Sequence, residues 1–231
     1  MMFDPIYYLF IAPGLIFALI ATFKVKSTFA RYSQVMATSG LTGAEAARQM
    51  LARNGVTNVA IERADGFLSD HYDPTSRTLR LSSGVYDSPS LSSIGVACHE
   101  AGHALQHASA YLWLGLRSSL VPATKFGSVG SYIFILLGMF MNSPKMFLIG
   151  IIFFSITVVF SIITLPVEWD ASSRAKRLMV SSGIVTSREQ EDAARVLNAA
   201  FLTYLASAIT ALLTLLYYLF RSGLLGGRRN D

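Results

Sequence analysis

Residues 98–107 read CHEAGHALQH, and within them His99-Glu100-x-x-His103 is the pattern His-Glu-x-x-His. On a helix, positions i and i+4 share a face, so both imidazoles can turn toward one ion. Zinc takes imidazole nitrogens at about 2.0–2.1 Å and, at catalytic sites, keeps one position open for water. Glu100 lies one residue further round, where it can serve that water rather than the metal. Its chemistry is that of a general base: it takes a proton during attack on a carbonyl and delivers it to the leaving amine. The expected activity is therefore peptide-bond hydrolysis with one zinc ion per chain. The chain has only 4 histidines, and random placement produces this pattern in about two chains per thousand.

A third protein ligand is needed, and the sequence offers His71, His107, Glu168 and Asp170. His107 is eight residues beyond His99, about 12 Å along a helix axis, so it is expected to support the site rather than join it. Glu168 follows an uncharged stretch, 146–167, in LPVEWDASSRA. A carboxylate in that position needs a partner, because burying its charge alone is costly. Asp170 can accept the second ring N–H of a ligating imidazole, or it can be a solvated acid at a helix start. His71, in SDHYDP, is a candidate for stabilising the oxyanion of the tetrahedral intermediate, as is Tyr72; a turn-stabilising role is the alternative for His71. The segment RTLRLS, 77–82, is read either as an edge strand that pairs with an extended peptide or as an ordinary inner strand. Arg174 and Arg177 can reach Glu168 or Asp170, or point to solvent. Cys98 projects about 100° away from His99 on a helix and is left out of the metal shell. It is also the only cysteine, which excludes an intrachain disulfide.

The elements that carry these residues follow from charge and hydropathy. The chain has 231 residues, of which 14% are charged, against roughly 25% in an ordinary soluble domain. The deficit is concentrated in four windows without any charge: 5–23, 126–144, 146–167 and 196–220. A purely soluble globule and a disordered chain are both excluded. We expect transmembrane helices at 6–23, 126–144, 146–166 and 198–220, each near the length that crosses about 30 Å of hydrocarbon. The N-terminal stretch carries Asp4 and no Lys or Arg before Lys24, so it reads as an uncleaved span rather than a signal peptide. Asn142-Ser143-Pro144-Lys145 breaks the second span from the third. Residues 24–125 form the polar domain, with a helix over 42–54 capped by Thr42 and Glu45, short strands within 56–83, and the metal helix over about 92–110. Segment 111–125 reads as less regular and interfacial. Residues 167–197 are read as a helical segment that carries two of the candidates for the third ligand, Glu168 and Asp170. Residues 221–231 form a flexible tail.

With four spans, 15 of the 19 Lys and Arg fall on the side that holds 24–125 and 168–195. The positive-inside bias places the polar domain in the cytoplasm. The net charge of +5 is read as orientation in a bilayer, and no nucleic-acid partner is expected.

Several separated stretches carry a resemblance: TGAEAARQML, SDHYDP with RTLRLS, VACHEAGHALQH, TLPVEWDAS and LNAAFLTYLA. In this order they resemble the bacterial YugP-type family of membrane neutral zinc metallopeptidases, from about residue 30 to 210. The resemblance implies a multi-pass membrane protease with a single zinc and with His99, Glu100 and His103 as motif residues. Similarity to the wider gluzincin-like class, in which a downstream Glu completes the site, implies Glu168 as the third ligand. Cys98 and Trp169 depart from the small residue and the Phe expected at those positions; neither is a proposed ligand. The implied fold is a mostly α membrane protein with a small α+β zinc-peptidase domain, acting on peptide or protein substrates at the bilayer. Two other readings are an intramembrane-cleaving zinc protease and a zinc-binding scaffold without turnover. The first lacks a Leu-Asp-Gly-like stretch in a later span, and the second sits poorly with the retained Glu100.

Overall fold

A computed structural model describes residues 5–66 and 69–225. Its elements are α1 (Pro5–Tyr32), α2 (Gly43–Arg53), β1 (Ala60–Ala64), β2 (His71–Asp73), β3 (Thr78–Ser82), α3 (Ser83–Tyr86), α4 (Leu91–Ala108), α5 (Leu112–Phe140), α6 (Pro144–Ser181) and α7 (Ser187–Arg221). Helices α1, α5, α6 and α7 are each long and apolar enough to cross a membrane. The chain divides into two compact units.

One unit comprises Met1–Ile20, Leu116–Leu165 and Thr203–Asp231. Its described residues are helical apart from 141–143 and 222–225, and glycine allows two of its helices close contact. A Cβ on Gly138 would stand 2.5 Å from the Phe147 backbone N, so only a bare α-carbon fits. Where apolar contact gives no advantage over lipid, small residues let helix backbones approach and gain dispersion contacts. The expected break at 142–145 is a tight reversal. Asn142 adopts a left-handed φ of 49°, a conformation asparagine tolerates better than most residues. Ser143 N–H donates to the Gly138 carbonyl at 2.9 Å, and Pro144 opens α6, where its missing N–H costs nothing. Of the expected flexible tail, Arg221 ends α7, and residues 226–231 lie outside the described residues.

The other unit comprises Ala21–Gly115 and Pro166–Leu202. Its core gathers Met50 and Leu51 of α2, Leu79 and Leu81 of β3, Leu91, Ile94, Ala97, Cys98 and Ala101 of α4, and Ala175 and Met179 of α6. The α2 capping box predicted from Thr42 and Glu45 is present. Ser90 caps α4 by accepting from Ser93 N–H at 3.3 Å. The sheet order is β1-β3-β2, with β1 parallel and β2 antiparallel to β3. This corrects one of the two readings of RTLRLS: β3 is the middle strand, paired with β1 along its length and with β2 over Thr78–Arg80, and not an edge strand. Leu79 and Leu81, on one face of the sheet, are fully buried. Segment 111–125 also differs from expectation, because α5 runs unbroken through it, Pro122 included.

Glu189 ties α7 to the segment after α1. Its Oε1 accepts from the Thr38 N–H and hydroxyl, both at 2.6 Å, and its Oε2 accepts from the Thr186 N–H and hydroxyl, both at 2.8 Å. Burial opposes the charge, but these four donors prevail and hold the carboxyl pKa at about 2, against an ordinary 4.5. A depressed carboxylate contributes stability that is fully present above the unfolded pKa and is lost as pH falls through the folded one. Glu189→Gln should therefore lower the melting temperature at pH 7 and flatten the wild-type decline between about pH 4.5 and pH 2. Thermal melts of both proteins across that window check it; parallel curves would show that Glu189 contributes nothing.

Candidate metal centre

Helix α4 runs past α6 at a distance set by Gly102. A Cβ at that position would lie 2.7 Å from the Ala171 carbonyl oxygen, so the glycine inside the His-Glu-x-x-His pattern lets the two helices touch. His99, Glu100 and His103 lie on α4. Glu168 lies on α6, which continues through Pro166 without a break. The contact brings His99 Nε2 to 3.1 Å and His103 Nε2 to 3.5 Å from Glu168 Oε2. The two imidazole rings stand edge to face, with centroids 4.8 Å apart. Among the described residues, these three side chains form a group that could hold a metal ion, with ligand atoms all within 4.8 Å of one another. Ligands about 2.0–2.2 Å from a tetrahedral zinc stand roughly 3.3–3.6 Å from each other, which is close to the two spacings observed.

The surrounding hydrogen bonds set which nitrogen His103 presents. Gln106 Nε2 donates to the Val167 carbonyl at 2.8 Å and to Asp170 Oδ2 at 2.9 Å. Both are acceptors, so the amide cannot be turned the other way. Gln106 Oε1, 2.9 Å from His103 Nδ1, must then accept, and the His103 proton is on Nδ1. In its neutral form His103 therefore presents a bare lone pair at Nε2, beside the carboxylate oxygen of Glu168. Asp170 is held in turn by Arg174, whose Nε donates at 2.6 Å. On the other imidazole, His99 Nδ1 lies 3.1 Å from the Ser172 hydroxyl.

Electrostatics point the same way. Glu168 is 1% exposed, and burial by itself would keep its carboxyl protonated. The two imidazoles beside it overcome this when they carry protons toward it, and hold the carboxyl well below the usual carboxylate range; a cation would supply the same positive charge when the imidazoles are neutral. A buried carboxylate beside two imidazole nitrogens needs positive charge among them, which protons or a shared cation can supply. Two nitrogens and one carboxylate oxygen, with no sulfur, make a donor set that suits zinc at a catalytic site.

The remaining candidates are not among these three converging side chains. His71 is exposed at the start of β2, its Nδ1 2.7 Å from the Ser69 carbonyl. His107 Nδ1 meets the Tyr72 hydroxyl at 2.9 Å, which engages two of the residues considered for the chemistry with each other. Cys98 is fully buried in the core, where desolvation pushes its thiol far above the ordinary range. Glu100 is half-buried. Asp170 does accept within the site, but through Gln106 rather than from an imidazole directly. Gln106 and Ser172 were missed by sequence reasoning. The available signals were their spacings: Gln106 is three residues after His103 and Ser172 four after Glu168, each one turn along the same helix face.

Gln106→Leu should weaken zinc affinity by about 10–100-fold, the usual effect of removing a group that orients a ligating histidine. Competition with a chelator of known affinity measures this. Unchanged affinity would mean that the His103 tautomer needs no support from Gln106.

A family profile described as "Putative neutral zinc metallopeptidase" matches residues 7–223. The chain is 49% identical over 198 residues to "Putative membrane protease YugP" of Bacillus subtilis (strain 168), covering 86% of this chain and 88% of that protein. No solved structure matches.

Proposed function

The chain belongs to the neutral zinc metallopeptidase family, and from that premise we propose that it is a membrane-embedded zinc endopeptidase of the gluzincin-like type, acting on membrane or membrane-proximal proteins. The observation that carries this reading is the buried meeting of His99 Nε2, His103 Nε2 and Glu168 Oε2, three ligand atoms close enough to share one cation. His99, His103 and Glu168 hold the ion, one per chain. Zinc in such a site supplies an acidified water and a Lewis acid for the scissile carbonyl. Glu100 takes a proton and passes it to the departing amine nitrogen. Gln106, braced by Asp170 and Arg174, keeps His103 in the tautomer that presents Nε2. His71 is assigned the oxyanion of the tetrahedral intermediate, and His71→Ala should then lower kcat more than it raises KM.

Depth in the membrane supports cleavage at its surface rather than within it. Residues 146–166 of α6 are apolar and rise about 32 Å at 1.5 Å per residue, enough for the hydrocarbon core. Glu168 comes two residues later, where that stretch ends. The excess of Lys and Arg on the side of 24–125 supports a site at the cytoplasmic face.

The reading is tested on purified full-length protein in detergent. Peptide hydrolysis should disappear on chelation and return with zinc at one equivalent per chain. Activity that survives complete removal of metal would overturn it.

A further inference from the structure

A groove of about 430 Å³ is lined by Lys24, Thr28, Arg31 and Tyr32 of α1 and by Arg195, Asn198, Ala199 and Leu202 of α7. We propose that this groove binds the headgroup phosphate of an anionic phospholipid. Three cations and no carboxylate line it. Arg195 is held in place, its Nη1 donating to the Tyr32 hydroxyl at 3.0 Å. Asp192 lies 3.6 Å from Arg195 and offsets part of that charge, so the excess rests on Lys24 and Arg31. Asn198 is fixed as well, its Oδ1 accepting from Lys176 at 2.9 Å, which brings a fourth cation beside the groove and leaves the Asn198 amide N–H groups free of that bond.

The position along the sequence selects the ligand. Lys24 is the first charge after the uncharged stretch 5–23, and Arg195 is the last before the uncharged stretch 196–220. Two apolar stretches that lead away from one basic groove place it at headgroup level, where each nearby Lys or Arg attracts anionic lipid. Ala199 and Leu202 give the groove an apolar end suited to the glycerol and upper acyl carbons. On the neighbouring stretch of α6, Trp169 is 57% exposed and packs edge to face on Phe201 of α7, centroids 5.2 Å apart; an exposed tryptophan of this kind is typical of the membrane–water interface.

Native mass spectrometry of the detergent-purified full chain, mixed with equal phosphatidylglycerol and phosphatidylcholine, tests the assignment. The wild type should retain phosphatidylglycerol preferentially. Lys24→Gln/Arg31→Gln should lose that preference by about tenfold or more, while the charge-conserving Lys24→Arg/Arg31→Lys keeps it. Inorganic phosphate at millimolar concentration should leave the lipid adduct in place. No preference in the wild type, or the same preference in the charge-removing variant, would overturn the proposal. Displacement by inorganic phosphate would overturn the lipid assignment in favour of a free-anion site.

Discussion

Glu100→Gln is expected to keep one zinc per chain and to lose peptide hydrolysis by about 10²–10⁴-fold, the usual contribution of a positioned general base. Glu100 is next to a ligand but is not among the three side chains whose ligand atoms converge, so the amide replacement leaves the donor set intact. Glutamine is nearly the same size and cannot take the proton. The loss should fall on kcat, with KM little changed, because the proton is needed only as the new bond forms. Elemental analysis and steady-state kinetics on the same preparation separate the possibilities. A metal-loaded variant with wild-type turnover would remove Glu100 from the mechanism, and a variant without metal would make Glu100 a structural part of the site.

Glu168→Ala is expected to weaken zinc binding by more than Gln106→Leu does, by about a hundredfold or more, because it removes a ligand and not a ligand's support. The Glu168 carboxylate is also the negative charge that makes the site attractive to a cation. Without it, two neutral imidazoles remain with no anion to balance the ion's charge in a buried setting. His71→Ala and His107→Ala should both retain zinc, since the former sits on an exposed strand end and the latter is engaged by Tyr72. Zinc content of the three variants decides the matter. If His107→Ala or His71→Ala empties the protein and Glu168→Ala does not, the third ligand is wrongly assigned.

Much of this was legible in the sequence because its signals are local. The four charge-free windows depend only on composition, and long apolar helices stand over all of them. The Thr42–Glu45 capping box spans four residues and forms as written. The spacing of His99 and His103 needs one helix to have meaning. Glu168 was legible for a different reason: it is the charge that ends an apolar stretch, and a charge there must be paired. What was not legible depends on how two helices meet. Gln106 holds His103 only because α6 presents Val167 O and Asp170 to it, and no periodicity in α4 announces those partners. The central place of β3 likewise depends on β1 and β2 choosing its two edges, which alternation within RTLRLS cannot specify. Gly102 is conspicuous as a glycine inside a helix, but its reason, the Ala171 carbonyl 2.7 Å from where its Cβ would be, exists only in the packed structure.

The central claim is that His99, His103 and Glu168 share one zinc ion. X-ray absorption at the zinc edge of the metal-loaded full chain tests it most directly. The account predicts one zinc per chain in a shell of nitrogen and oxygen at about 2.0–2.2 Å, with the outer-shell scattering of two imidazoles. A zinc–sulfur distance near 2.3 Å, which only a cysteine thiolate gives among these side chains, or a shell with fewer than two imidazoles, would contradict it.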